Sequence, residues 1–212
     1  MKILEVKDLE IEGIKSIEYA RFPDNRGYFT ETWRESQFKE FDFLKDVNFQ
    51  QANESHSKYG VIRGLHFQWN PYMGKLIRVI NGRMIDIYVD IRKGSPTLGY
   101  IGMHSLFARP YLSENKWIWV PPGFAHGCFF TEDTTIEYFC SGEWSPNTEA
   151  AILCVDNNFL NWSLCDPQLK KQYDILVECG DAIISDKDKQ AYKLEHWLEH
   201  PDSDNFQYSE LK

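Results

Sequence analysis

The residues best suited to chemistry crowd into Asn53–Gln68, NESHSKYGVIRGLHFQ, where Arg63, His66 and Gln68 surround the small Gly64. An imidazole beside a guanidinium is equipment for removing a proton and holding the negative charge left behind. If Ile62–Gln68 is extended, alternation puts Ile62, Gly64, His66 and Gln68 on one face and Arg63 and Leu65 on the other. Arg63 and His66 then meet only if a bulge at Gly64 re-aims the strand. A second cluster, Pro121–Gly127 (PPGFAHG), follows the apolar run Trp117–Val120 and contains His126.

The spacing of Pro121, Gly123 and His126 matches the second half of the cupin-barrel signature, in which a turn carries the histidine into the barrel mouth. In metal-binding cupins the first half is a glycine followed by a His-x-His pair and a glutamate. Here that place reads Gly64-Leu65-His66-Phe67-Gln68, with Gln68 where the second imidazole would be. A transition-metal site would be short of ligands, so neither a metal nor a cofactor is expected. A cavity lined by His, Arg, Lys and Tyr suits proton abstraction next to a carbonyl. A base removes the proton, cations stabilise the enolate oxygen, and an acid on the opposite face returns a proton with inverted configuration.

Short strands must position these groups. From about residue 20 to 160 the chain shows alternating or apolar runs, among them Lys75–Val79, Met84–Asp90, Trp117–Val120 and Thr135–Cys140. Turn signals such as Asn81-Gly82, Gly94-Ser95-Pro96 and Pro121-Pro122-Gly123 separate them at the spacing of an antiparallel barrel or sandwich. Glu31–Phe43 reads as a short helix, and helices are expected over Pro167–Val177 and Ser185–His200, where Ser185 and Asp188 resemble a capping box. The polar tail Pro201–Lys212 reads as loosely ordered. The expected class is mainly β: a cupin or jelly-roll barrel with a few short helices, mostly C-terminal. No repeat or linker divides the chain. One domain is expected over residues 1–212, with a barrel core over about 20–162 and a helical extension over about 163–212.

The 212 residues include 42% hydrophobic and 15% aromatic side chains, enough for a sizeable core. A net charge of −9 opposes binding to nucleic acid or an anionic membrane, and neither partner is expected. The five cysteines are odd in number and lack C-x-x-C spacing, which suits reduced thiols in a cytoplasm. The N-terminus, MKILEVKDLEIEGIK, carries no apolar signal-peptide core.

Several long motifs in the same order make the chain resemble the dTDP-4-dehydrorhamnose 3,5-epimerases of the L-rhamnose pathway. They are DNRGYFTETW (24–33), QANESHSKYGVIRGLHFQ (51–68), GKLIRVINGRMIDIYVDIRKGSPTLG (74–99), WVPPGFAHG (119–127) and the run from Tyr138 to Pro146 ahead of Trp162. On their own, Asp24 and Arg26 read as a turn with an ion pair, Tyr138 as a strand aromatic and Trp144 as packing. The resemblance implies more. His66 is then the general base and Tyr138 the acid on the opposite face. Arg63 and Lys75 are cations near the 4-keto oxygen and diphosphate, and His126 is the other site imidazole. Gln51, Asn53, Arg26, Phe29 and Glu31 fall where the family contacts the nucleotide, with Arg26 and its neighbours reaching a partner subunit's site. Trp144 falls where a ring stacks on the base.

The resemblance also implies a carboxylate that orients the base, mapped to Asp188 in IISDKD, with Asp90 in YVDIR as the alternative. It implies a nucleotide-diphosphate sugar as substrate and a homodimer with a strand from Leu4–Tyr19 exchanged across the interface. Relatives that invert only carbon 3 or carbon 5 keep the same base, and a non-catalytic sugar-binding cupin is the other alternative. Ser105–Lys116 is longer than the family pattern and is expected to alter a loop at the barrel mouth.

Overall fold

The computed structural model describes residues 1–155 and 158–211. β1 (Ile3–Asp8) and β2 (Lys15–Ala20) form one hairpin, and β3 (Phe22–Asp24) and β4 (Gly27–Phe29) form a second, separate one. The single helical turn α1 (Glu35–Phe38) precedes β5 (Gln51–Ser57) and β6 (Val61–Gln68). There follow β7 (Lys75–Asp90), β8 (Ile101–Ala108), β9 (Glu114–Val120), β10 (Phe124–Phe130), β11 (Thr134–Cys140) and β12 (Glu149–Ala151). The C-terminal segment holds α2 (Pro167–Glu178), β13 (Ile183–Ile184), α3 (Asp186–Lys189), α4 (Leu194–Glu199) and a 3-10 turn at Pro201–Asn205.

The strands make two sheets that share β7. One runs β1-β2-β9-β7-β11-β5, and the other runs β8-β7-β10-β6 with β12 and β13 on the outer edge of β6. The expected hairpin turn at Asn81-Gly82 does not form, because β7 runs through it for 16 residues. Residues on either side find different partners. Lys75–Arg78 pair with β9, while Gly82–Val89 pair with β8. Gly82 takes a φ of +99°, and the chain bends instead of reversing.

The mainly β class agrees with the alternating runs, and inner faces bury Ile77, Val79, Met84, Tyr88, Leu106, Ile118, Phe124 and Phe130 between the sheets. The outer face of the β6-containing sheet packs under the C-terminal segment, where Leu169, Tyr173, Leu194, Trp197 and Phe206 meet Phe67 and Trp69. The outer face of the other sheet is covered by residues 33–49 through Phe38 and Leu44.

Several boundaries differ from expectation. The sheets begin before residue 20, with β2 paired to β9 from Lys15–Trp119 to Ala20–Glu114. The Glu31–Phe43 helix shrinks to Glu35–Phe38, because Arg34 supplies no side-chain cap and Trp33 is held by Phe38, Phe49 and Phe139. The helix α2 forms where Asp166 caps Gln168 and Pro167 occupies the first turn. The Ser185–His200 helix breaks in two, since Tyr192 exchanges backbone bonds with Ala151 and Leu153 and pulls the chain straight. The tail is ordered. Phe206 is fully buried against Phe67, Trp69 and Trp197, and the Tyr208 N–H donates to the Lys93 carbonyl.

Replacing Phe206 with Ala therefore removes the peg that closes the C-terminal segment over β6. Urea denaturation should show a loss of about 3–5 kcal/mol. An unchanged midpoint would mean that the tail contributes nothing to the fold.

Candidate active site

The outer edge of β6 is paired in two pieces. β12 covers His66–Gln68 and β13 covers Val61–Ile62, leaving a gap at Arg63–Gly64. Asp188 fills it, accepting the Gly64 N–H on Oδ2 at 3.3 Å. On the other edge, Arg63 lies opposite Cys128 and His66 opposite His126, so three steps on β6 match two on β10. This is the bulge that alternation required. Gly64 permits it, with a φ of +101° and no room for a side chain, since a Cβ would lie 2.7 Å from the His126 carbonyl oxygen.

The bulge turns Arg63 and His66 into one cavity of about 480 Å³ between the sheets. His66, Arg63 and His126 line it from β6 and β10, Lys75 and Tyr138 from β7 and β11, and Ser185, Lys187 and Asp188 from the C-terminal segment. His66 and Tyr138 thus stand on opposite walls. His66 donates from Nε2 to Asp188 Oδ1 at 2.7 Å, which leaves the Nδ1 lone pair available as a base. Asp188 is buried. Burial alone would raise its carboxyl, but the bonds from His66, Gly64 and Ser185 outweigh that and hold it below the usual carboxylate range.

Arg63 is braced through Nε by the Ser57 hydroxyl at 2.9 Å, and its outer nitrogen donates to the His56 carbonyl at 3.4 Å. Burial holds the Lys75 ammonium below its ordinary value, against the opposing pull of Cys140, Glu149, Cys128 and Asp86. Tyr138 lies across the ladder from Asn53 and Ile77. Burial raises its hydroxyl, so it stays a protonated phenol at neutral pH and can serve as an acid. His126 donates from Nε2 to Asp86 Oδ2 at 2.8 Å.

Asp90 does not orient the base. It is sealed in a buried pair with Arg92 at 2.8 Å and accepts from Ser95 and Thr97 at 2.6 and 2.7 Å. Gln68 faces backbone groups, donating to the Pro71 and Glu143 carbonyls and accepting from the Ser145 N–H. The long Ser105–Lys116 stretch does not line the cavity. Its Arg109 carbonyl instead accepts from Arg21.

The other expected contacts lie outside the cavity. Gln51 donates to Asn53 Oδ1 and accepts the Trp144 N–H, and the Trp144 ring is exposed. Arg26 bonds Asp24 at 2.6 Å in the β3–β4 hairpin, with 84% of its side chain exposed, and Phe29 is 70% exposed. Glu31 pairs with Arg34 at 2.7 Å and with the N-terminal ammonium. Within one chain, Asp24 and Arg26 form the turn and ion pair that their types suggest. Three site groups escape the sequence reading: Asp86 behind His126, and Lys187 on the cavity wall with its partner Glu149 at 2.5 Å. Lys187 stands beside Asp188 in the same IISDKD run, which was its only signal.

The profile of the dTDP-4-dehydrorhamnose 3,5-epimerase family matches residues 8–196. The chain belongs to this family. It is 35% identical over 175 residues to the dTDP-4-dehydrorhamnose 3,5-epimerase of Neisseria gonorrhoeae, covering 81% of this chain and 51% of the relative, so it spans about half that relative's length. It is 37% identical over 171 residues to the enzyme of that name from Shigella flexneri, covering 78% of this chain and 91% of the relative. Among solved structures, it resembles the dTDP-6-deoxy-D-glucose-3,5-epimerase of Legionella pneumophila in complex with dTDP-4-keto-L-rhamnose. That likeness has 30% identity and a TM-score of 0.76, and covers 96% of this chain and 97% of the other. The two-sheet barrel is the cupin-type fold of these dTDP-sugar epimerases.

Because its carboxyl is held below the ordinary value of 3.8, Asp188 adds stability above that value and loses it as pH falls toward the folded-state value. Urea denaturation should find Asp188→Asn less stable than the wild type at pH 7, with the gap narrowing below about pH 4. A gap that widens in acid would contradict the pairing.

Proposed function

We propose that this protein is an epimerase that inverts C3 and C5 of dTDP-4-dehydro-6-deoxyglucose, in deoxysugar synthesis of the L-rhamnose type. The observation that carries the reading is a single cavity with the His66–Asp188 pair on one wall, Tyr138 on the other, and Arg63, Lys75 and His126 between. A carbon beside a keto group loses its proton only if the enolate oxygen is stabilised, and three nitrogen groups surround the place for that charge. His66 Nδ1 takes the proton, the C–H electrons move into the enolate, and the Tyr138 hydroxyl supplies a proton from the other side. Solvent then returns the imidazole and the phenol to their starting states. Asp188 keeps the base in one tautomer and stabilises its charged form.

The substrate we propose is a nucleotide-diphosphate sugar, with the diphosphate toward Arg63 and Lys75 and thymine toward Trp144, Gln51 and Asn53. An indole can stack on that base. The barrel and its C-terminal segment act as one unit in this reading, because Asp188 comes from the segment. A homodimer fits the exposed β3–β4 hairpin, whose Arg26 and Phe29, followed by Glu31, reach outward to a second copy's site. We also place the protein in the cytoplasm. No described helix is long and apolar enough to cross a membrane.

In D₂O with this substrate, NMR should show deuterium entering at both C3 and C5. His66→Ala should slow the exchange by about 10²–10⁴-fold. Tyr138→Phe should keep the exchange and lose inversion. Exchange at one carbon only would make this a single-site epimerase, and none at either would overturn the substrate assignment. Exchange that survives in His66→Ala would overturn the base.

A further inference from the structure

Asp86 lies in the C-terminal half of β7 with its side chain on the inner face, fully buried between Met84 and Tyr88. One oxygen, Oδ2, accepts from His126, while the other, Oδ1, is buried with no hydrogen-bond partner among the described residues. A carboxylate oxygen left bare in such a layer is costly, at about 1–3 kcal/mol or more. Directly opposite Asp86 on β8 is His104, whose Nε2 is likewise buried with no partner among the described residues. Leu106, two residues on, packs in the layer between the sheets, so His104 shares the face that carries Asp86. Side chains directly opposite across an antiparallel pair start about 5 Å apart.

The neighbouring charges are already matched elsewhere. The Tyr88 hydroxyl donates to Glu10 at 2.8 Å, and Lys116 pairs with Glu18 at 3.1 Å. Burial lowers His104, with Lys116 acting the same way and Asp86 and Glu10 opposing, so the ring is neutral and has one N–H to give.

We infer that Asp86 holds two imidazoles, His126 on Oδ2 and His104 on Oδ1, and that His104 is a positioning residue for His126. The Nε2–H of His104 reaches Oδ1 by a ring rotation or through one water, and either route gives the same donation. With both oxygens engaged, the carboxylate cannot swing about its last torsion, and the His126 ring it anchors keeps its aim into the cavity. With Oδ1 bare, the carboxylate turns and competes for the His126 proton. The inference rests on the proposed epimerase reading for its catalytic consequence, though the pairing itself does not.

Two variants and one spectrum test it. His104→Leu removes the donor, while His104→Gln keeps an N–H donor at about the reach of Nε2. With the 4-keto nucleotide sugar, His104→Leu should lose about tenfold in kcat with KM within about twofold, and His104→Gln should stay within about threefold of wild type. Wild-type kcat in His104→Leu, a loss confined to KM, or equal losses in both variants would overturn the role. ¹⁵N-edited NMR of the substrate-free protein should show a slowly exchanging Nε2–H on His104 that disappears in Asp86→Leu, which removes both acceptors. Its absence from the wild type would overturn the pairing. If the wild type turns over no 4-keto sugar, the epimerase reading fails, and the spectrum still decides the pairing.

Discussion

The Asp188 carboxylate enters the sheet through a gap in the edge pairing of β6, joining the His66 ring to the Gly64 N–H across 122 and 124 residues of chain. The gap exists because β12 and β13 stop short of one another, and the ring faces the gap because a bulge at Gly64 turns the strand. The segment bearing Asp188 must return to β6 after α2 and then stay there. Ser185 caps α3 to hold Asp188 at its start, Tyr192 bridges to β12, and Trp197 and Phe206 lock the remainder over Phe67 and Trp69. The tail therefore matters to the base although it lies far from the cavity.

The second requirement is two walls. β7 belongs to both sheets, so the cavity between them takes Lys75 and Tyr138 from one side and His66 and His126 from the other. A sugar ring is thin, and groups on facing sheets reach its two sides. In the proposed reaction, removal and return of a proton from opposite directions then follows from the sandwich, with no movement of the backbone needed.

Much of the candidate site is legible in the sequence. His66, Arg63 and His126 stand out by residue type and spacing, Lys75 and Tyr138 take their roles only from the family resemblance, and all five line the cavity. Asp188 was reached only through the family resemblance, since nothing local ties residue 188 to residue 66. Sequence does not distinguish Asp86, because MIDIYVD holds two acids and only the fold shows that Arg92 captures Asp90. Element boundaries failed where distant contacts overrule local pattern. Asn81-Gly82 looks like a hairpin turn until its flanks find different partner strands, and the polar tail conceals Phe206, whose partners Phe67 and Trp69 lie 139 and 137 residues earlier. Arg26 and Phe29 carry a motif, but a motif does not say on which copy of the chain it acts.

The proposed reaction requires a sugar ring between His66 and Tyr138 with its keto oxygen among the cations. A crystal structure of the protein with a thymidine-diphosphate-linked hexose that cannot react tests it most directly. The hexose should lie in the cavity, with a carbon beside C4 over His66 Nδ1, Tyr138 on the opposite side, and O4 facing Lys75, Arg63 or His126. A hexose bound elsewhere, or one with both groups on the same side of the ring, would contradict it.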